Sequence, residues 1–181
     1  MHILDKNFFK QEAVVVAQEL LGCILTYETK RGILSGKIVE TEAYGGIDDK
    51  ASHAAKGVTA RNAVMFGEAG LAYIYLIYGM YHCLNVVTEP EDTAGAVLIR
   101  ALEPIPPLKN TNGPGKLCKS MQITRILNQV DLTKEDSLLW ITMSQKIPDK
   151  KIVQTTRIGI SVATDYKWRC YIKDNSFVSV K

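Results

Sequence analysis

Two carboxylates stand two residues apart in GKIVETEAY, Gly36 to Tyr44. Side chains of an extended strand alternate between faces, so Ile38, Glu40, Glu42 and Tyr44 are expected on one face and Val39, Thr41 and Ala43 on the other. Glutamates are seldom buried unless paired. Each of these two is therefore solvated on an edge strand, tied to a cation, or in chemical use. A second apolar run, AVLIRALEP, Ala96 to Pro104, has Arg100 at its centre. A guanidinium buried there requires an anion, and Glu40 or Glu42 is the natural candidate. Alternation equally permits Arg100 to lie on the exposed face. An arginine and a glutamate that hold a water between them make a hydrolytic centre, and the same pair can be a structural tie.

The stretch LAYIYLIYGMYHCLNV, Leu71 to Val86, carries Tyr73, Tyr75, Tyr78 and Tyr81. Each buried phenol needs a hydrogen-bond partner, so a core strand has little use for this many. With a strand over Leu71 to Ile77, Tyr73 and Tyr75 share a face and Tyr78 opens a turn at which Gly79 supplies flexibility. An aromatic at a hairpin tip cannot readily be buried in its own core. It can stack on a base or wedge into a duplex; the bland alternative is that all four tyrosines line a sheet. NGPGKLCKSM, Asn112 to Met121, is no Walker A loop, because Asn110 stands where the first glycine belongs and Leu117 follows Lys116. It is a Gly-rich turn into a helix start, which can bind a backbone phosphate beside Lys116 or simply begin a helix. His53 has no cysteine or aspartate at ligand spacing, and hydrogen bonding suits it better than metal binding.

These residues need a scaffold. Asp5 to Gly22 has the spacing of one capped helix. Cys23 to Thr29 and Ile33 to Tyr44 read as strands around a charged turn, and Gly45 to Gly70 as a long loop with a short helix. Leu71 to Ile77 and Tyr81 to Thr88 form the tyrosine hairpin, and Ala96 to Leu102 is a further strand. Lys116 to Gln129 reads as a helix, and Thr156 to Val180 as short strands. The expected architecture is a single α+β domain over residues 1–181. Its sheet is curved and mostly antiparallel, with surrounding helices and a protruding β-hairpin.

Composition narrows the function. Cys23, Cys83, Cys118 and Cys170 form no CxxC pair, so neither a zinc site nor a disulfide framework is expected. No secretory leader or membrane span is read. The chain carries a net +3 unevenly: Met1 to Leu108 holds 9 Lys+Arg against 13 Asp+Glu, and Lys109 to Lys181 holds 13 against 6. A basic half suits a polyanion, although a solvated basic surface has the same composition.

Taken together, the motifs resemble the alkyladenine (3-methyladenine) DNA glycosylase family of the mammalian type, which also has bacterial members. The matching segments are GKIVETEAY, SHAAKG, ARNAVMF, YIYLIYGMYHCLNV, VLIRALEPI, GPGKLC and TRIGIS. They fall in the family's order from about Gly36 to Ile160. The resemblance implies Glu42 as the general base that activates water and Arg100 as the arginine that helps hold it. It implies Tyr44, His53 and Tyr75 as the pocket for a flipped base, with Tyr44 and His53 on opposite faces. Asn85 becomes the wall that disfavours the amino group of guanine, and Tyr78 the residue inserted into the duplex. Met80 and Tyr81 become its minor-groove neighbours. The Glu89 to Ala94 turn is two residues longer than the mammalian pattern.

The implied activity is hydrolysis of damaged purines from double-stranded DNA to leave an abasic site. No lysine matches a Schiff-base nucleophile, so no strand cleavage is expected. No cofactor and no metal are expected, and the protein should act as a monomer in the cytoplasm or nucleoid of a bacterium, or in a nucleus. Two other readings compete. A non-catalytic module that stacks bases on its tyrosines does not explain an acid facing DNA, and a small-molecule barrel leaves the basic half unexplained.

Overall fold

Two short helices stand at the start of the chain where one was expected: α1 (Lys6–Phe9) and α2 (Ala13–Glu19). The computed structural model describes residues 2–180, and the break between these helices has a tertiary cause. Asp5 caps α1 by accepting the Phe8 N–H. Glu89, 76 residues away, accepts the Ala13 N–H at 2.8 Å and so supplies the cap of α2. Its own N–H donates to the carbonyls of Phe9 and Gln11. Gly22, at φ +91°, then turns the chain into the sheet.

The strands follow as β1 (Ile24–Thr29), β2 (Gly32–Tyr44), β3 (Ala72–Ile77), β4 (Tyr81–Val87), β5 (Ala96–Pro104), β6 (Leu139–Thr142), β7 (Ile152–Thr155) and β8 (Arg169–Ile172). Between β2 and β3 lie two 3₁₀ turns, His53–Lys56 and Ala63–Phe66. The helix expected over Lys116 to Gln129 is shorter and earlier: α3 spans Pro114–Ser120, and a 3₁₀ turn follows at Arg125–Leu127. Gln122, at φ 59°, breaks the helical path between them. β6 was not foreseen. In the tail, the one strand is β8.

The sheet runs β3-β4-β5-β2-β1-β6, all neighbours antiparallel. β2 is its axis. One edge pairs with β5 along Gly36 to Tyr44, and the other is shared end to end: Gly32 to Lys37 pair with β1 and Glu40 to Glu42 with β8. Register shifts against β5 fall at Ile38/Glu40 and Glu40/Thr41, where the two outer strands part. Ile38 and Val39 consequently both join the main core, and Ile38 does not share the face of Glu40. The edge-strand alternative for the two glutamates is excluded, because β2 is central and buried from Ile38 to Ala43.

The fold is thus a single α+β domain built on a curled antiparallel sheet. Ile74, Leu84, Val86, Val97 and Ile99 face the main core on one side. Thr41 Oγ1 ties that face to α2 through the Ala17 carbonyl at 2.6 Å. The other face of β2 to β5 is left for something else. Among the described residues no helix is long and apolar enough to cross a membrane.

Candidate active site

Alternation places Tyr73, Tyr75 and Ile77 of β3, Cys83 and Asn85 of β4, and Ala96, Leu98 and Arg100 of β5 around one cavity, with Tyr44 of β2. Cross-strand pairing holds them level: Tyr73 opposite Asn85, Tyr75 opposite Cys83, Asn85 opposite Leu98, and Glu42 opposite Leu98 on the next strand. Four adjacent strands thus give one face to the core and the other to a cavity of about 410 Å³. That size lies in the range of small-ligand sites, roughly 300–1,000 Å³. The loop after β2 closes it with Ala51 and His53, and the segment after β7 with Ile158, Gly159 and Ile160.

Tyr44, His53, Tyr75 and Asn85, the four pocket residues expected from the sequence, all line this cavity. The His53 ring stands edge-on to Tyr75 at 4.6 Å, and its Nδ1 shares a hydrogen bond of 2.7 Å with the Tyr73 hydroxyl. Burial and the nearby Arg61 guanidinium hold the imidazole below its ordinary pKa, which favours the neutral ring. Asn85 donates from Nδ2 to the Tyr73 carbonyl at 3.0 Å, so its amide is fixed to the opposite strand. Burial raises the phenol pKa of Tyr75, and burial together with the charge of Glu42 raises that of Tyr44. Both walls remain protonated donors.

Glu42 lies behind this lining rather than in it, fully buried. Its Oε2 accepts from the Tyr44 hydroxyl at 2.9 Å and from Arg100 Nη1 at 3.2 Å, and its Oε1 accepts from the Ile158 N–H at 2.7 Å. Oε1 thereby keeps a lone pair. Arg100 is buried as well, and its Nε reaches Glu40 at 3.2 Å. The expected arginine–glutamate contact therefore exists twice, with one guanidinium divided between two carboxylates. The exposed-face alternative for Arg100 does not hold.

The tyrosines separate by position. At the tip of the hairpin, Tyr78 is 83 % exposed and also borders the cavity mouth. It has φ 52°, Gly79 has φ 70°, and the Met80 N–H donates to the Ile77 carbonyl, the pattern of a primed hairpin turn. A left-handed backbone at an aromatic residue costs roughly 1–2 kcal/mol. Met80 and Tyr81 are exposed beside it. A neighbouring groove runs between them and α3, and a Cβ on Gly115 would sit 3.1 Å from the Tyr81 ring. Lys116 lies outside the cavity, exposed in a groove with Asn110, Asn112, Lys119 and Ser120. Among the described residues no group of three His, Cys, Asp or Glu side chains is placed to hold a metal.

Comparison with known proteins is decisive at the level of family. The family model described as methylpurine-DNA glycosylase (MPG) matches residues 7–176. The chain belongs to the methylpurine-DNA glycosylase family. Three bacterial relatives bear the name "Putative 3-methyladenine DNA glycosylase". The protein of Ehrlichia ruminantium is 49% identical over 176 residues, covering 96% of this chain and 90% of its own. That of Legionella pneumophila (strain Corby) is 46% identical over 183 residues, covering 99% of both. That of Myxococcus xanthus (strain DK1622) is 44% identical over 185 residues, covering 99% of this chain and 94% of its own.

This member of the methylpurine-DNA glycosylase family has site residues that local sequence did not reveal. Arg157 is buried, paired to Asp49 through Nη1 at 2.6 Å and Nη2 at 2.8 Å, and donates to the Ala43 carbonyl. Its guanidinium lies between the rings of Tyr44 and Trp168, 4.7 Å and 5.1 Å from their centroids, and Tyr166 stacks beyond Trp168. Tyr44 is thus backed by the Arg157 guanidinium, which also lies over Trp168, itself stacked with Tyr166. Asn62, buried in the ARNAVMF segment, donates to the His53 and Gly57 carbonyls and fixes the turn that carries His53. Arg61 stands over Tyr75 at 5.0 Å on the cavity wall.

Proposed function

We propose that this protein is a monofunctional DNA glycosylase that flips alkylated purines, 3-methyladenine and related lesions, out of duplex DNA and hydrolyses their N-glycosidic bond. The observation that carries this reading is the placement of Glu42. It is a fully buried carboxylate, held by Tyr44, Arg100 and Ile158 behind the aromatic wall of a base-sized cavity. Burying a charge this deeply is costly unless it is paired and hydrogen-bonded, and here the partners include a pocket wall, Tyr44, and a pocket-lining cation, Arg100. A module that merely stacks bases has no need of it.

A stacked base is out of reach of this cavity, so the nucleotide must rotate out of the helix. Tyr78 fills the gap, and its strained, exposed position suits an intercalating wedge. Tyr44, His53 and Tyr75 then hold the flipped base. Electron-poor alkylated purines gain from these π-faces, and Asn85 rejects the exocyclic amine of guanine. Cleavage passes through an oxocarbenium-like sugar, as in O-glycoside hydrolysis. The C1′–N bond breaks with its electron pair going to the cationic alkylated base, which leaves neutral. Glu42 stabilises the sugar cation, takes the attacking water on the open lone pair of Oε1, and removes its proton. Met80 and Tyr81 lie along the minor groove, and Lys116 contacts the phosphate backbone.

The test is release of free base from a duplex carrying one 3-methyladenine or one hypoxanthine, with the product strand analysed before and after alkali. An intact strand that breaks at the lesion only after alkali supports hydrolysis without lyase activity. Tight binding with no base release would leave a binding module instead.

A further inference from the structure

Glu40 is as buried as Glu42, and besides Arg100 its partners come from the far end of the chain. Oε1 accepts from Arg169 Nε at 2.7 Å, Ser179 Oγ at 2.9 Å and Arg100 Nε at 3.2 Å, and Oε2 accepts from the Ser179 N–H at 2.7 Å. Arg169 is the register partner of Glu42 on β8, yet its side chain crosses to Glu40. It is pinned there, lying 4.9 Å over the Tyr171 ring and donating from Nη2 to the Val180 carbonyl. Glu40 and Glu42, Arg100 and Arg169 thus form a charge-balanced cluster out of water. Arg100 is the one member shared between the two carboxylates. Its contacts with them are equal in length, and both are longer than the bonds Glu40 receives from Arg169 and from the Ser179 N–H.

We propose that Arg169 and Ser179 are positioning residues for base release: by saturating Glu40 they leave Arg100 free to serve Glu42. This rests on the reading of Glu42 as the catalytic carboxylate. Without Arg169 the cluster carries an excess negative charge, and Glu40 has lost its nearest cation. In so dry a site that charge is strongly felt. Arg100 already touches Glu40 through Nε, so a small rotation gives it wholly to Glu40 and draws Nη1 away from Glu42. Neither Glu40, Arg169 nor Ser179 lines the cavity, so the loss falls on chemistry and not on holding the flipped base.

The experiment is single-turnover base release at saturating enzyme, with the Kd for the same lesion duplex measured alongside. Arg169→Gln should slow release on the order of tenfold and keep Kd within about twofold, a coupling typical of one ion-pair network. The double variant Glu40→Gln/Arg169→Gln removes one charge of each sign and should regain most of the lost rate. A residue that only braced the fold would lower the melting temperature of the single variant and leave its single-turnover rate, measured well below that temperature, at the wild-type value. Ser179→Ala should slow release less, with Kd again unchanged, and it decides the matter should Arg169→Gln fail to fold. A wild-type rate in Arg169→Gln overturns the proposal, as does a double variant slower than the single, or Kd rising in step with the rate loss; for Ser179→Ala, an unchanged rate does the same. Glu42→Gln separates the two levels. If it still releases base, the catalytic reading itself fails. If it is inactive while Arg169→Gln is normal, only the positioning role fails.

Discussion

The phenol of Tyr44 donates a hydrogen bond of 2.9 Å to Oε2 of Glu42, two residues back on the same face of β2. One side chain thus serves as both pocket wall and partner of the buried acid. The two duties separate in Tyr44→Phe, which keeps the ring and loses the donor. A hydrogen bond to a charged group contributes about 1.5–3 kcal/mol, so base release should slow roughly tenfold or more while lesion-duplex affinity holds. Single-turnover rates and gel-shift titrations report the two quantities separately. Loss of affinity with an unchanged rate would show that the hydroxyl serves the base rather than Glu42.

Glu42→Gln should retain lesion-selective binding and lose base release by about 10²–10⁴-fold or more, the usual contribution of a general base plus the lost stabilisation of the sugar cation. The sequence alone makes Glu40→Gln look mild by comparison. The structure changes that expectation: Glu40 lies between two arginines and two groups of Ser179. Its variant should melt at a lower temperature than Glu42→Gln and still release base. An active Glu42→Gln beside an inactive, well-folded Glu40→Gln would reverse the roles.

The parts of this site that lie within one strand could be read from the chain. Period-2 alternation puts Glu40, Glu42 and Tyr44 on one face, and the same rule brings Tyr73 and Tyr75 together. What alternation cannot give is a partner from a distant segment. Nothing near Asp49 points to Arg157, and nothing near Glu40 points to Ser179, because those contacts depend on where β8 and the tail settle against β2. The break between α1 and α2 was hidden for the same reason: its cap is Glu89. The shift at Ile38/Glu40 was invisible because it lies in the pairing with β5, at the point where β1 gives way to β8 on the other edge of β2, and both partners are distant in sequence.

Asp49→Asn should lower the melting temperature by about 10 °C, because breaking a buried ion pair typically costs about 3–5 kcal/mol in a protein of this size. Arg157 would be left buried, with its Nε already lacking a partner, and the stack behind Tyr44 would lose its anchor. Adding Arg157→Gln removes the stranded cation and should recover part of the loss. Calorimetry on the two variants checks this. A shift of Asp49→Asn under about 2 °C would mean that the pair does not support the wall.

His53 should make the fold acid-sensitive. Burial, and then Arg61, lower its pKa from the ordinary 6.5. The unfolded chain therefore takes up a proton that the folded chain refuses. The stability due to neutral His53 is complete above pH 6.5 and is lost as pH falls through the lowered value. Between about pH 7 and about pH 5, the melting temperature should fall further for the wild type than for His53→Gln. Parallel falls in the two proteins would count against a neutral, desolvated ring.

Tyr78 and Tyr75 stand three residues apart and should fail in different ways. Tyr75 is a half-buried wall of the cavity, while Tyr78 projects from the hairpin tip with a left-handed backbone. Tyr78→Ala removes an aromatic that would stack in the vacated helix, a contribution of roughly 1–3 kcal/mol. The flipped state should become rarer, most of all for a lesion in a well-paired duplex, where opening costs more than opposite a mismatch. Tyr75→Ala should slow excision equally in both settings, since the pocket is damaged however easily the base leaves the stack. Single-turnover excision by both variants on paired and mismatched substrates separates the roles. Tyr78→Ala should also leave the melting temperature unchanged, because the exposed ring belongs to neither hydrophobic core cluster and alanine keeps the same left-handed backbone. An equal deficit in the two contexts, together with a lowered melting temperature, would make Tyr78 a structural residue of the hairpin and not a wedge.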